Sequence, residues 1–159
     1  MILVTAPASE PITLAEPKDH LPATAATDDA YITSLISTAR GMAETITKRA
    51  FMSQTWDWKF GAFPDELEVP RAPLVSITSI SYVDTAGASQ TWATAEYSVL
   101  DAVAALAVGR IVPAYGESWP SVRGMPNDIT VRFVAGYSGT NALPDEIKWG
   151  ILLILAELY

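Results

Sequence analysis

His20 is the only histidine of the chain and is therefore the first candidate for a catalytic group. Asp19 precedes it, but sequence neighbours on a helix point in different directions, and no serine lies in a nucleophile-elbow motif. A hydrolase would need His20 and a carboxylate to converge on a positioned nucleophile. The residues favour a packing or capping role for His20 at a helix end. We predict that the protein is not an enzyme.

Three carboxylates, those of Asp65, Glu66 and Glu68, are candidates for metal ligands or for an acid and base pair. They follow Pro64 in a predicted turn, where acidic side chains are ordinarily solvated. Calcium loops need a denser spacing of Asp and Asn and a closing Glu. Cysteine is absent, which excludes disulfides, thiolate nucleophiles and Cys-based zinc sites. We expect no metal and no cofactor.

Aromatic side chains could stack on sugars or nucleobases, and the chain has five tryptophans: Trp56, Trp58, Trp92, Trp119 and Trp149. Trp56 and Trp58 share one face of a predicted strand, where aromatic residues usually belong to the core of a small β-structure. Trp119 stands between Ser118 and Pro120 in a predicted loop. We expect Trp119 to be exposed or at a contact.

The charge balance argues against a domain that grips nucleic acid. Ten Lys and Arg residues stand against eighteen Asp and Glu residues, for a formal net charge of -8. Such a domain needs a basic footprint. Gly136 and Gly139 do not form a phosphate cradle, because no Lys-Ser or Lys-Thr follows them. We interpret that segment as a turn.

No signal peptide or membrane span is expected. The apolar run Met1 to Val4 has no basic flank and is followed by Pro7. The apolar run 151–156 is far shorter than the roughly 20 residues that a span needs. We predict a soluble protein made in a cytoplasm.

Three helices are predicted, at about 13–21, 28–49 and 144–159. Thr13 and Glu16 fit a capping box, Asp28 or Asp29 caps the second helix, and Lys48 and Arg49 close it. The apolar stripe of the second helix is Ile32, Leu35, Ile36, Ala39, Met42, Ala43 and Ile46. The third helix has so little polar face that we expect it to be buried nearly all round.

A β-rich insertion is predicted at about 54–135. Residues 55–60 alternate between polar and aromatic side chains, and residues 74–92 read as a hairpin that turns at Asp84 to Ala88. Further short strands are expected at 96–100, 109–112 and 128–135. The fold class is therefore α+β, a single domain over 1–159 in which a helical body carries a small antiparallel sandwich or barrel-like lobe.

Fragments along nearly the whole chain carry a family resemblance through their order and spacing. They are Ile12-Thr13-Leu14-Ala15-Glu16, His20-Leu21, Thr47-Lys48-Arg49-Ala50-Phe51, Gln54-Thr55-Trp56, Phe63-Pro64, Leu67-Glu68-Val69-Pro70-Arg71-Ala72-Pro73-Leu74, Gly109-Arg110-Ile111, Ser118-Trp119-Pro120, Phe133-Val134-Ala135-Gly136-Tyr137 and Leu143-Pro144-Asp145-Glu146-Ile147-Lys148. In this order they resemble the head-tail connector, or adaptor, proteins of tailed bacteriophages and of phage-derived gene transfer particles.

The resemblance implies a virion protein at the head-tail junction, assembled in the host cytoplasm. Such proteins form a ring, usually of twelve subunits, that docks on the portal protein and receives a downstream stopper or tail-completion protein. DNA passes through the lumen without sequence-specific binding. An acidic lumen would keep DNA from adhering.

Two contact regions are predicted on this basis. An apolar terminal helix is difficult to cover within so small a domain, so we place the portal or subunit interface at Ile151, Leu155, Leu158 and Tyr159. We place the downstream neck contact at Asp84, Gly87, Tyr115 and Trp119. The alternative hypothesis is a β-lobe binding module that recognises a glycan or a peripheral tail component.

Overall fold

The computed structural model describes residues 1–18, 28–102, 108–137 and 142–159. In these ranges the chain forms helices and antiparallel sheets, which confirms the predicted α+β class. The helices are α1 (Ala15–Lys18), α2 (Asp29–Thr47) and α3 (Asp145–Leu158). The strands are β1 (Ile2–Thr5), β2 (Gln54–Phe60), β3 (Leu67–Glu68), β4 (Leu74–Val83), β5 (Ser89–Trp92), β6 (Tyr97–Leu100), β7 (Arg110–Pro113) and β8 (Ile129–Ala135).

The start of α1 shows one half of the predicted capping box. The Glu16 carboxylate accepts the backbone N–H of Thr13, and the Thr13 hydroxyl donates to the same carboxylate at 2.9 Å. Helix α1 begins at Ala15 rather than at 13, and its predicted end near 21 lies outside the described residues.

Helix α2 ends at Thr47, two residues before the predicted end, with Lys48 as its C-cap residue. Lys48 adopts a left-handed conformation (φ 53°) that terminates the helix after Thr47. The Arg71 guanidinium donates to the carbonyls of Glu44 and Arg49, at 3.2 and 2.9 Å. Asp28 occupies the N-cap position without a side-chain hydrogen bond. The distant Arg71, which local periodicity cannot reveal, therefore satisfies carbonyls at the end of α2.

The β-insertion consists of two antiparallel sheets. One has five strands in the order β1-β2-β8-β4-β5, and the other has three in the order β3-β7-β6. The predicted hairpin is β4 and β5, with Gly87 at φ 87° in its turn. Side chains from both sheets share one core, in which Phe133, Ile80 and Ile111 are fully buried. Trp56 and Trp58 pack against this core, as predicted.

A second core lies between α2 and α3. Ile32, Ile36 and Ala39 of α2 pack with Ile151 and Leu155 of α3. Burial of such apolar side chains contributes about 25 cal/mol per Å² of surface removed from water. None of the helices formed by the described residues combines the length and apolar character needed to cross a membrane.

A buried carboxylate joins the helical core to the β-insertion. Glu44 of α2 accepts the backbone N–H of Phe51 at 2.7 Å and the side-chain amide of Gln54 at 2.6 Å on one oxygen. Its other oxygen accepts Arg40 Nη1 at 2.8 Å. Arg40 also donates from Nε to Glu10 at 2.6 Å. Glu44 thus connects α2, the start of β2 and the segment after β1 in one charged network.

Gly136 is required where β8 leaves the sheet. Its φ of 123° is rarely adopted by L side chains, and an added Cβ would collide with the Met52 carbonyl. Gly136→Ala is expected to destabilise the protein by about 3 kcal/mol or more, through backbone strain and displacement of Met52. Chemical denaturation of the two proteins measures the difference. Gly116→Ala is the control, because Gly116 also has a positive φ (87°) but open space around its Cβ.

Candidate assembly surface

The catalytic and metal candidates do not come together as a site in the described structure. Asp19 and His20 lie outside the described residues. Asp65, Glu66 and Glu68 are exposed, and Glu66 forms an ion pair with Arg110 Nη1 at 2.7 Å. Among the residues with a described placement, no three His, Cys, Asp or Glu side chains are arranged to hold a metal ion.

Trp119 is not the exposed aromatic residue that its loop position suggested. It is half-buried, and its ring stacks on Phe63 with centroids 4.7 Å apart and planes 14° from parallel. Trp92, which is buried, lies 5.2 Å from it. Trp119 is not fully exposed because the loop folds back onto the aromatic core of the β-insertion, and the predicted contact at Trp119 stays a prediction. The stacked face of Trp119 is occupied by Phe63, so nothing in this arrangement favours a glycan-stacking role.

One of the predicted downstream-contact residues, Asp84, lies in a turn that contacts the segment after Pro120. The turn at Asp84 is bridged to Val122, and Arg123 N–H donates to the Val83 carbonyl at 3.1 Å. The Asp84 carboxylate accepts the backbone N–H groups of Ala86 and Ala88, both at 2.9 Å. Asp84 therefore holds its own turn in shape, as Asx side chains commonly do. The prediction that this end contacts another protein stays a prediction.

Two other predicted contact residues sit on exposed turns. Tyr115 is fully exposed, beside Gly116 in a turn with φ 87°. Gly87 is exposed in the hairpin turn. An aromatic ring with no cover from its own chain is a suitable anchor for a partner, since Tyr supplies a large contact area with few rotatable bonds. Of the four residues predicted here, Tyr115 has the most surface to offer.

Hydrogen bonds from neighbouring side chains lower the pKa of three aspartates in the β-insertion. The Arg132 guanidinium, with Nε 2.7 Å from Asp57 Oδ1, holds the pKa of Asp57 below its ordinary 3.8. Arg123 does the same for Asp128, and the Gln90 amide does it for Asp84. A carboxyl whose pKa is depressed on folding stabilises the fold above 3.8, and this contribution is lost as the pH falls through the lowered pKa.

Asp57→Asn is expected to lower the unfolding free energy near neutral pH and to have a smaller effect in acid. The difference in unfolding free energy should be largest near neutral pH and should shrink below pH 3.8, because protonation removes the ion pair from the parent protein as well. Denaturant titrations at a series of pH values measure it. A difference that stays constant down to pH 2 would contradict the assignment of Arg132 as the stabilising partner.

At the chain end, only part of the predicted interface has surface to offer. Ile151 and Leu155 are 0% and 1% exposed, so they belong to the helical core of their own chain and cannot contact a partner directly. Leu158 is half-buried against the same core. Tyr159 is 42% exposed, and its ring lies 6.0 Å from that of Tyr31. Of these four residues, Tyr159 is the most accessible.

The apolar surface lies instead on the outer sides of α2 and α3. Met42 and Ile46 of α2 are 44% and 74% exposed, although both belong to the predicted core stripe. On α3, Trp149 and Leu153 are 55% and 72% exposed, so this helix is not buried nearly all round. Met42 and Ile46 lie side by side, and Ile46 also lines the groove between the helices, whereas Trp149 and Leu153 lie on the side of α3 opposite Ile151. We call the surface made by Met42 and Ile46, together with that groove, the α2–α3 face.

The groove is a cavity of about 500 Å³ between the C-terminal half of α2 and the stretch of α3 up to Ile154. Its walls are almost entirely apolar, with charged side chains of opposite sign, Arg49 and Glu146, among the lining residues. The apolar walls include Ile46, Phe51, Tyr137, Ile147, Gly150 and Ile154. Concave apolar surface next to exposed apolar side chains is typical of a protein interface.

No protein-family model matches the chain, and no curated protein matches it. Solved structures do. A chain in the neck of an empty gene transfer agent (GTA) particle, computed with C6 symmetry, has a TM-score of 0.77 and 24% identity, covering 100% of this chain and 84% of that one. A chain in the virion of a native GTA particle has a TM-score of 0.76 and 24% identity, covering 99% and 82%.

A third match is a chain in the neck of a native GTA particle, computed with C12 symmetry. Its TM-score is 0.66, its identity is 25%, and the match covers 100% of this chain and 83% of that one. The described fold is therefore shared with chains of GTA particles over 99–100% of this chain and 82–84% of those chains.

Proposed function

We propose that this protein is a structural subunit of the neck of a phage-like particle and that it forms the adaptor ring between the portal and the tail. The similarity to chains of GTA necks and virions supports the structural role and the location in the particle. The C6 and C12 symmetry of those necks is consistent with a ring. The observation that carries the proposal is the α2–α3 face, an exposed apolar surface with a groove of the kind that protein interfaces bury.

In this proposal, subunit contacts use the α2–α3 face. A ring is built from heterologous contacts, in which one patch of each subunit meets a different patch of the next. The exposed apolar residues of α2 and α3 would provide one of those patches. We assign the docking contact with the portal protein to the region around Tyr159. This region borders the same pair of helices, because Tyr159 and Leu158 lie close to Tyr31 of α2.

The β-insertion would face the downstream stopper or tail-completion protein. Its candidate contacts are the turn around Asp84 and Gly87, which is bridged to Val122, and the exposed ring of Tyr115. The protein performs no chemistry in this role, and its work is shape matching and sealing.

DNA would pass through the lumen without being held. The formal net charge of -8 disfavours phosphate binding, because a Lys-rich wall would release counterions and adhere to DNA. We expect acidic residues on the pore wall. A reconstruction with a neutral or basic wall would contradict this part of the proposal.

The proposal is tested by native mass spectrometry of the purified protein, alone and mixed with the portal protein of the same particle. We expect a closed oligomer, with about twelve copies, either in the free protein or after portal addition. A protein that stays monomeric in both samples would contradict the proposed function.

A further inference from the structure

The five-stranded sheet ends in two open edges, formed by β1 and β5. Within the described ranges of the chain, β1 pairs only with β2, and β5 pairs only with β4. The β1 side chains from Ile2 to Val4 are between 43% and 53% exposed, and residues 89–91 of β5 are exposed as well. An edge strand of this kind presents a row of backbone N–H and C=O groups to any further strand.

Neither edge strand carries a charged residue or a proline, which are the usual protection against pairing with another chain. The described pairings of these two strands contain one bulge, between Leu3 and Thr5, and the first half of β1 is regular. Both edges are therefore suited to the addition of a strand.

The acidic groups beside these edges already have partners. Asp57, which lies opposite Ile2 in the register, is paired with Arg132. The Asp84 carboxylate at the turn before β5 accepts the Gln90 amide at 2.9 Å. Two copies of a chain with a formal net charge of -8 can thus meet at these edges without opposing unpaired carboxylates of these residues.

The strand directions determine how two copies can join. All described pairings in this sheet are antiparallel and the sheet has five strands, so its two edge strands run in the same direction. The β1 edge of one copy can meet the β5 edge of the next, which is a heterologous contact that repeats around an axis. Successive copies in a ring of many subunits are related by a small rotation, which preserves strand direction. The joined strands are therefore parallel.

The bonds made by β4 show which backbone groups of β5 face the open edge. The Val83 N–H donates to the Asp128 carbonyl at 3.0 Å, and the Val83 carbonyl accepts the Arg123 N–H at 3.1 Å. The backbone of Val83 therefore faces away from Ser89, its partner in the register. Because the direction alternates along an antiparallel pair, the N–H and C=O groups of Ser89 and Thr91 point away from β4, toward the open edge.

We propose that β1 of one copy adds to β5 of the next copy as a parallel strand and joins the five-stranded sheets around the ring. The inference rests on the proposed function and adds a backbone contact to the boundary between subunits. Its occupant is a second copy of this chain, because the same sheet supplies both edges, with equal strand lengths of four residues and the same strand direction. A contact between unlike edges also leaves no edge of this sheet open in a closed ring.

The absence of cysteine makes disulfide trapping a direct test. Ile2→Cys is combined with Ser89→Cys or with Thr91→Cys, because the register places these three side chains on one face of the sheet. The assembled protein is then oxidised mildly. We expect a ladder of linked dimers, trimers and higher oligomers from at least one double variant, since neighbouring strands lie about 4.8 Å apart and a disulfide spans Cα atoms about 4.4 to 6.8 Å apart.

Thr5→Cys with Ser89→Cys is the matched control for strand direction. In a parallel pair that links Ile2 to Ser89 or to Thr91, these two positions are offset by three or more residues, or about 10 Å. This variant should give no ladder. Single variants should also give none, and a mixture of Ile2→Cys with the β5 variant that links should give dimers only.

Thr91→Pro tests the backbone pairing itself. It removes an N–H that faces the open edge, and edge strands tolerate proline where the N–H does not bond within the sheet. We expect association at each contact to weaken by about tenfold or more, measured by the concentration dependence of mass in light scattering. Thr91→Ala keeps the N–H and should assemble like the parent. Unfolding curves that match the parent show that the subunit is intact.

Each alternative has its own result. Linked dimers from Ile2→Cys alone or from Thr91→Cys alone would show that like edges meet, and they would overturn the proposal. A ladder from Thr5→Cys with Ser89→Cys would show antiparallel pairing and would overturn it too. A ring seen by mass, with no link from either Ile2 double variant, would overturn it and leave the proposed function standing. Failure to form a ring, alone or with the portal, would refute the proposed function itself.

Discussion

Ile46→Asp is expected to abolish ring assembly and leave the folded subunit intact. The side chain is 74% exposed in the single chain, so an aspartate there remains solvated and costs the fold little. In an assembled ring the same carboxylate would be buried against apolar groups. An unpaired buried charge costs about 4 kcal/mol, which lowers the association constant at each contact about 1000-fold. Light scattering or native mass spectrometry measures the loss.

Ser37→Asp is the matched control for this prediction. Ser37 is exposed on α2 nine residues before Ile46, which places it about 180° around the helix from the α2–α3 face. It adds the same charge to the same helix without entering the proposed contact. Assembly of the Ile46→Asp protein at parental concentrations, or equal loss in both variants, would show that the α2–α3 face is not a subunit contact.

Glu44→Ala is expected to destabilise the monomer by about 3 to 5 kcal/mol. The substitution removes the acceptor for the Phe51 N–H, the Gln54 amide and Arg40, all within the joint between the helical core and the β-insertion. Buried donors left without partners cost their full desolvation free energy. The unfolding free energy from urea titration measures the effect.

Two further variants separate charge from hydrogen bonding at this joint. Glu44→Gln keeps a carbonyl that can accept from Phe51 and Gln54 and loses the charge opposite Arg40, so it should cost less than Glu44→Ala. Glu10→Ala removes only the second partner of Arg40. Because Glu10 lies nearer the surface than Glu44, this substitution should destabilise the protein by about 1 kcal/mol. A Glu44→Ala protein as stable as the Glu10→Ala protein would contradict the role given to the buried carboxylate.

Local sequence signals predicted most of the elements. Periodicity located α2 and α3, and turn residues placed the β4–β5 hairpin with Gly87 in its turn. The strands expected at 96–100, 109–112 and 128–135 are β6, β7 and β8, within one or two residues. These features depend on neighbours close in sequence, which a single chain displays directly.

Features that depend on distant residues were not predictable. Helical periodicity places Met42 and Ile46 on the same apolar stripe as Ile36. A buried stripe and an exposed one have the same spacing, so periodicity does not show that Met42 and Ile46 are exposed. Arg71 supplies carbonyl contacts at the end of α2 from 22 or more residues away. The contacts of Glu44 with Phe51 and Gln54 come from residues beyond the end of α2, which helical periodicity does not show.

The most direct measurement of the central claim is an image reconstruction of the assembly formed with the portal protein. We expect this fold repeated around one axis in a closed ring, with the α2–α3 face buried at each boundary between subunits and the turn around Asp84 at the end away from the portal. A ring in which the α2–α3 face is bathed in solvent would contradict the contact, and density for single, unconnected copies would contradict the adaptor role.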